Sequence, residues 1–424
     1  MIDINLIRKD PEYVKDRVQT KKIDPKTIDK FLRVDNDWRQ KTEALDRLKS
    51  DQNAVSRELA GAKKDDLMSK AAIIKKRINE IEEGCGALDL KRKEILEGIP
   101  NLPFDDVPVG PDESGNKVIR EVGEKPKFNF EPVDYLTLGE KLGLINVKKA
   151  AEVSGSRFGY LLRDAALLEF ALVNLAFKEL VSQGFTPVVP PVMIRPEVFS
   201  GMGRLTSAEK EERYFLEKDN TYLIGSAEHT IGPLHMNEIF EEGDLPRRYV
   251  GFSTCFRREA GSYGKDTKGI LRVHQFDKVE MFSFAHPIKS GEEQMFLLNL
   301  QESLMQRLEL PYRVVEICTG DMGFTDAKQF DIETWLPGQP ASEGGGRGVY
   351  RETHSCSNTT DFQSRGINAK YRADKEKHFV HMLNATGFAI GRMIIAIIEN
   401  YQTKDGKVKV PKALQEYVGK RVIE

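Results

Sequence analysis

Cysteine is scarce in this chain: four residues in 424 (Cys85, Cys255, Cys318 and Cys356), none in a C-x-x-C arrangement. That spacing argues against a zinc cluster and against a disulfide framework, and it fits a reducing, cytoplasmic setting. Long hydrophobic runs are missing too. The start, MIDINLIRKD, has no apolar core of signal-peptide length. The longest apolar stretch, GFAIGRMIIAIIEN, carries Arg392 and is too short to cross a bilayer, so no membrane role is expected. Charge of one sign is also lacking, with 64 basic against 66 acidic residues and a net charge of -2. No global field therefore attracts a polyanion, and any nucleic-acid contact must come from local patches. The glycine run Gly344-Gly345-Gly346-Arg347-Gly348 lacks the Lys-Ser/Thr ending of a phosphate-cradling P-loop and reads as a hairpin tip.

What is present is enough for two domains: 424 residues with 40% hydrophobic content, more than one typical core requires. From about Ile28 to Ile95 apolar residues recur at alternating steps of three and four. One series runs Phe31, Val34, Trp38, Leu45, Leu48, Gln52, Val55, Leu59, Ala62; the other runs Leu67, Ala71, Ile74, Ile78, Ile81, Cys85, Leu88, Arg92, Ile95. Such a seam needs a partner helix. Gly61 and the capping aspartates Asp65 and Asp66 end one helix and start the next, so the nearest partner is the chain's own other half. An antiparallel coiled-coil hairpin of about 30 to 35 residues per helix would protrude about 45 to 50 Å. Lys63, Lys64, Lys70, Lys75, Lys76 and Arg77 make its tip basic, which suits an RNA backbone or simply a solvated face. After Ile99-Pro100-Asn101-Leu102-Pro103 the composition turns to Pro, Gly and Asp. The expected division is residues 1–105 for the hairpin and 106–424 for a mixed domain.

In that domain, residues 256–282 (FRREAGSYGKDTKGILRVHQFDKVEMF) alternate like two antiparallel strands around a loop holding Gly261, Gly264 and Gly269. The alternation would project Arg257, Glu259, Arg272, Phe276 and Glu280 from one face. Arginine forks match phosphate oxygens, and the Phe276 ring is a flat surface for a purine. Glu280 adds an acceptor for a hydroxyl or an ammonium. A charged hairpin that only solvates the surface is the competing reading.

The FRREAGSYGKDTKGILRVHQF run resembles motif 2 of the class II aminoacyl-tRNA synthetases, and in wording the seryl-tRNA synthetases. The resemblance continues in order along the chain. FTPVVPPVMIRPEVF, after a helix candidate at 164–183 capped by Asp164 and closed by Gly184, is similar to motif 1, with Pro191 at its proline. Its prolines exclude a central strand but allow a sheet edge or a subunit crossing. Tyr222–Glu228 resembles the serine-binding LIPTAE loop, with Gly225 for proline and Ser226 for threonine. Tyr350–Asn358 resembles EISSCSN, with His354 in place of serine. Asn384–Arg392 resembles motif 3, NGSGLAVGR.

The resemblance implies an α+β fold: an antiparallel sheet core flanked by helices, with the N-terminal coiled-coil arm gripping tRNA. It implies ATP-dependent activation of L-serine and transfer to tRNA(Ser), with tRNA(Sec) as a further substrate, by a homodimer. ATP would meet Arg257, Arg258, Glu259, Arg272, Val273, Phe276, Glu352, Thr353, His354, Ser355 and Arg392. Magnesium would sit on Glu352 and Ser355, oxygen donors of the hard kind it prefers. Serine would meet Ser226, Ala227, Glu228, Arg257, Glu280, Asn384 and Thr386, with Arg257, Arg392 and Glu259 as the catalytic groups. Two other readings stay open: an amino acid ligase that loads a carrier protein, which would not need the long arm, and a non-catalytic scaffold, against which the retained charged set speaks.

Overall fold

The computed structural model describes residues 1–61, 65–260, 268–340 and 347–424. Ala62, Lys63 and Lys64 at the hairpin pivot, Gly261 and Gly264 of the motif 2 loop, and Gly344–Gly346 lie outside the described residues. Two compact units are found, residues 2–102 and residues 103–424 together with Met1.

In the first unit, helix α1 (Lys26–Gly61) and helix α2 (Asp65–Glu97) are 36 and 33 residues long. At about 1.5 Å per residue each extends about 50 Å. Leu45, Val55, Ile74 and Ile78 form the buried part of the seam, with Leu48, Leu59, Ala71, Ile81 and Cys85 packed around it. Arg92, at a seam position where the heptad pattern calls for an apolar residue, has a polar explanation. Its guanidinium stacks 4.0 Å over Trp38 and its Nε pairs with the buried Asp35 at 3.2 Å, so the stem fills the seam and the charge is matched. Two short N-terminal helices, Ile4–Lys9 and Pro11–Thr20, belong to the same unit and bury Ile7, Val14 and Val18. The sequence pattern alone did not single them out.

The second unit is built, among the described residues, on an eight-stranded sheet. In chain order its strands are β1 (Lys117–Val122), β2 (Thr186–Val188), β3 (Arg247–Phe256), β4 (Gln275–Ala285), β5 (Tyr312–Glu316), β6 (Lys328–Pro340), β7 (Arg347–Asn358) and β8 (His381–Ala389). Their order across the sheet is β1-β5-β6-β7-β8-β4-β3-β2. Every neighbouring pair is antiparallel except β2 and β3, which run parallel. The proline-rich motif 1 segment thus supplies β2 at the sheet edge, where a missing N–H leaves no ladder bond unmade.

One face of the sheet carries Val279, Met281, Ile332, Cys356, Leu383, Ala385 and Phe388 into the main core. Three helices cover it: α3 (Asp164–Ser182), α4 (Ser290–Arg307) and α5 (Ile390–Asn400). α3 begins at Asp164, but that carboxylate pairs with Lys420 at 2.7 Å and does not cap the helix; the N-cap position is Arg163. Gly184, at φ +87°, makes the turn after α3. In motif 3, α5 starts at Ile390, so Arg392 lies in its first turn. Gly387 is needed for close approach, because a Cβ there would meet Val279 Cγ1 at 3.0 Å and Val279 O at 3.2 Å. At Gly391 a Cβ would meet Ile270 O at 3.7 Å, an ordinary contact.

Candidate active site

The opposite face of the sheet is polar, and strand register decides which residues share it. Cross-strand partners point the same way. Gly251 of β3 lies opposite Glu280 of β4, and Ser253 opposite Lys278. Glu280 in turn faces Thr386 of β8, and Phe282 faces Asn384. Asn384 is opposite Ser357 of β7, and Ser355 is opposite Asp331 of β6. Arg257 continues this face just beyond the end of β3, its N–H donating to His274 O at 3.0 Å.

Irregularities in the ladders set the parity. Glu352 and Ser355 are three apart and would point to opposite faces of a regular strand. The register shifts between the Ile332–His354 and Glu333–Glu352 pairs, leaving Thr353 as an extra residue. That bulge brings Glu352 and Ser355 to the same side. A second shift, with Gly387 as its extra residue, separates the Val279–Phe388 and Glu280–Thr386 pairs.

Of this face, Arg257, Lys278, Ser355, Ser357, Asn384 and Thr386 line a continuous hollow, while Glu280 lies buried behind them and is not among its lining residues. The larger part of the hollow, about 630 Å³, is bounded by Ser226, Glu228, Arg257, Glu259, Ser355 and Asn384 among others. A contiguous part of about 220 Å³ is lined by Arg257, Val273, Phe276, Glu352, Thr386 and Arg392 among others. Arg257, Glu259, Arg272, Lys278 and Ser355 belong to both.

The loop before the short helix Glu228–Ile231 places the first set. Gly225 O accepts from Arg257 Nε at 3.1 Å, and Gly225 N–H donates to His229 Nδ1 at 3.1 Å. A Cβ at Gly225 would lie 2.7 Å from Arg213 Nη1, so glycine in place of the family's proline accommodates two arginines. Burial lowers the His229 pKa to about 3, which keeps the ring neutral and lets Nδ1 accept. Burial alone would raise the Glu228 carboxyl, but Arg204 at 2.7 Å and the His229 hydrogen bond outweigh it and hold the carboxyl well below its ordinary range. Burial pushes Arg213 down to about 10, helped by the charge of Arg257. Ser226 Oγ accepts from Lys278 Nζ at 3.3 Å.

Glu280 is fully buried beneath Lys278, whose Nζ stands 2.6 Å from Oε2. Burial raises its carboxyl to about 7 against the pull of Lys278. Asn384 is buried, lines the hollow, and its Nδ2 has no hydrogen-bond partner among the described residues. Such an orphan donor suits a ligand acceptor. At the other end, Arg392 in the first turn of α5 donates to Glu352 O at 2.7 Å and lies 3.3 Å from its carboxylate. Burial opposes ionisation of Glu352, yet Arg392 and Arg257 prevail and keep it low. A charged carboxylate beside the Ser355 hydroxyl is a donor pair that fits a hard cation whose other ligands come from phosphate oxygens and water.

The structure does not bring every expected residue to the hollow. Arg258 turns its guanidinium to within 5.2 Å of the Tyr214 ring while its N–H donates to Glu212 O. His354 is buried on the core side, 5.9 Å from the Phe388 ring, with Nδ1 2.8 Å from Thr353 Oγ1. Thr353 lines the smaller part of the hollow but commits its hydroxyl to Thr334 at 2.7 Å, and Ala227 is buried with Met202 and Ile231. Each of these can offer only backbone atoms to a ligand. Glu259 and Arg272 reach the hollow from beyond the strand ends, 3.5 Å from each other, and Glu259 takes a positive φ of 51°. Lys278, Arg204 and Arg213 were missed. Lys278 was readable from the same alternation that singled out Phe276 and Glu280; Arg204 and Arg213 carry no local signal.

Residues 1–103 match the model of the seryl-tRNA synthetase N-terminal domain, and residues 214–401 match that of the class II tRNA synthetase core domain (G, H, P, S and T). A serine–tRNA ligase of Acidothermus cellulolyticus is 44% identical over 426 residues, covering 100% of this chain and 99% of its own length. Seryl-tRNA synthetase from Pyrococcus horikoshii, solved with ATP, superposes with a TM-score of 0.91 at 40% identity, covering 100% of this chain and 99% of the other. The cytoplasmic serine–tRNA ligase of Naegleria fowleri, solved with AMP, gives 0.87 at 34% identity, covering 100% and 99%. With both family models matched and these relatives aligned over the full length, the chain belongs to the seryl-tRNA synthetase family of class II, the ATP-dependent serine–tRNA ligases.

Proposed function

We propose that the hollow binds ATP at its smaller end and L-serine at its larger end. One observation supports this reading above the others: strand register and the bulge at Thr353 gather Arg257, Phe276, Thr386, Ser355, Glu352 and Arg392 around one cavity. The adenine stacks on Phe276, the α-phosphate meets Arg257, and the terminal phosphate meets Arg392 at the start of α5. No side chain caps that helix, so its first N–H groups also face the anion. Glu352 and Ser355 hold magnesium, which supplies charge neutralisation for the phosphates when bound.

Serine places its ammonium on Glu280 and Glu228 and its hydroxyl near Asn384 and Ser226 and near Thr386, which stands where the two parts meet, 3.4 Å from the Ser355 hydroxyl that lines both. Its carboxylate oxygen attacks the α-phosphorus, the bond to the bridging oxygen breaks, and pyrophosphate leaves with that electron pair. No protein nucleophile takes part; positioning and neutralisation of the developing charge supply the catalysis. The seryl-adenylate then passes its acyl group to a ribose hydroxyl at the tRNA end, and AMP departs. A pocket built around the substrate hydroxyl discriminates against alanine by about 10⁴.

The arm grips tRNA(Ser), with tRNA(Sec) as a second substrate; the exposed Lys70, Lys75, Lys76 and Arg77 on α2 supply phosphate contacts. A homodimer fits the apolar residues left outward on α3 and after β2, with Leu167, Phe170 and Val189 exposed by 45%, 59% and 84%. The chain acts in the cytoplasm; among the described residues no helix is long and apolar enough to cross a membrane. Serine-dependent ATP–pyrophosphate exchange tests the central assignment. Exchange with the wild type and its loss in Arg257→Ala is the expected result, and near-normal exchange in that variant would remove Arg257 from the mechanism.

A further inference from the structure

Lys278 stands between Phe276 and Glu280 on β4, only 7% exposed, and lines both parts of the hollow. Its Nζ rests 2.6 Å from Glu280 Oε2 and 3.3 Å from Ser226 Oγ. Both partners are groups assigned above to the ammonium and hydroxyl of serine. A buried ammonium of the chain itself therefore stands where a substrate ammonium is to be received.

Serine is a zwitterion, and its carboxylate must lie where the two parts of the hollow meet in order to reach the α-phosphorus. The cations lining both parts are Arg257, Arg272 and Lys278. Arg272 lies 3.5 Å from Glu259, and Arg257 is tethered through Nε to Gly225 O at 3.1 Å. Lys278 is the compact charge on a flexible four-carbon stem, the kind of group that can change partners with little movement.

We propose that Lys278 is a serine-binding residue that exchanges partners: the substrate ammonium takes its place on Glu280, and Nζ turns to hold one oxygen of the serine carboxylate while the other faces phosphorus. This rests on the assignment of Glu280 and Ser226 to serine. The exchange leaves every buried charge matched before and after binding, which matters because an uncompensated buried charge is costly. It also builds a specificity filter. An amine without a carboxylate, such as serinamide, would bring a second cation beside Lys278 with no anion to receive it.

The test uses the full-length protein without ATP and measures serine and serinamide binding by calorimetry. Wild type binds serinamide at least about tenfold more weakly than serine, the worth of one charge-assisted contact. In Lys278→Met serine binding weakens by about 10- to 100-fold while serinamide binds as well as before or better. Lys278→Gln, which keeps a donor for Ser226 and the side-chain volume, shows the same inversion and serves if the methionine variant does not fold. Equal affinity of the wild type for the two ligands would overturn the proposal, and so would parallel weakening of both in the variants, the sign of a structural role. If serine itself fails to bind the wild type, the assignment of the hollow to serine falls instead.

Discussion

The two units reach their structures by different physical routes. In the arm, the contacts that matter lie between two consecutive helices, and a seam of Leu45, Val55, Ile74 and Ile78 is enough because the pattern repeats every three or four residues. In the catalytic unit, the working residues come from strands 100 residues and more apart, as with Glu280 and Thr386 or Phe282 and Asn384, and meet only because the sheet is ordered β1-β5-β6-β7-β8-β4-β3-β2. The arm tolerates change along most of its wet surface; the polar sheet face does not, since its charges are matched by neighbours across the ladder. The difference predicts that substitutions in the two units separate the two half-reactions.

The largest effect should come from Arg257→Ala, which removes the cation lining both parts of the hollow that we place at the α-phosphate; serine-dependent exchange should drop by about 10³-fold. A residual rate within tenfold of wild type would show that positioning does not depend on this group. Next, excising residues 41–86 and rejoining the helices leaves the buried Ile7, Val14, Val18 and Phe31 in place. Charging of tRNA(Ser) should fall by about 10²-fold or more as phosphate contacts are lost, with exchange kept within about threefold. If exchange fell equally, the units would not be separable in function.

Thr386→Val should raise the serine KM by about tenfold and leave the ATP KM within about twofold, because a buried polar contact to the substrate hydroxyl is lost. Equal changes would move Thr386 out of the serine pocket. For pH, Glu280 must be ionised to take an ammonium, and its carboxyl is raised to about 7. Serine KM should therefore climb as pH falls below that value and level off above it, while Glu280→Gln is poor at all pH values and loses the slope. The smallest effect on catalysis belongs to the arm: Ile78→Ala should cost about 2 to 4 kcal/mol of local stability, read by hydrogen exchange along α2, with exchange activity unchanged.

Much of the site was legible because strand alternation is a local rule. Phe276 and Glu280 sit at even spacing on β4, and Arg257, the first residue past β3, continues that strand's parity. Glu259 and Arg272 did not fit that rule, since both lie beyond the strand ends and come in through the loop. The errors fall where a chain irregularity or a distant neighbour decides. Nothing in Glu352-Thr353-His354-Ser355 announces that Thr353 is the bulged residue, so Thr353 and His354 read as site residues while their side chains belong to the core side. Arg258 adjoins Arg257, yet one residue along a strand end is a turn to the other side, here to Tyr214. Asp164 had the chemistry of a cap, but Lys420, far along the chain, offers it a stronger partner.

By itself the sequence determined the antiparallel pair of long helices, the proline-bearing edge segment, and the residue types that ATP and serine require, because periodicity, ring constraint and functional-group chemistry act within a few residues. Tertiary structure alone decided which of those residues share a cavity, which charges are matched within the chain, and that Lys278 rests on Glu280 and Ser226. Those outcomes depend on register, bulges and burial, and each is set by strands that the chain places far apart.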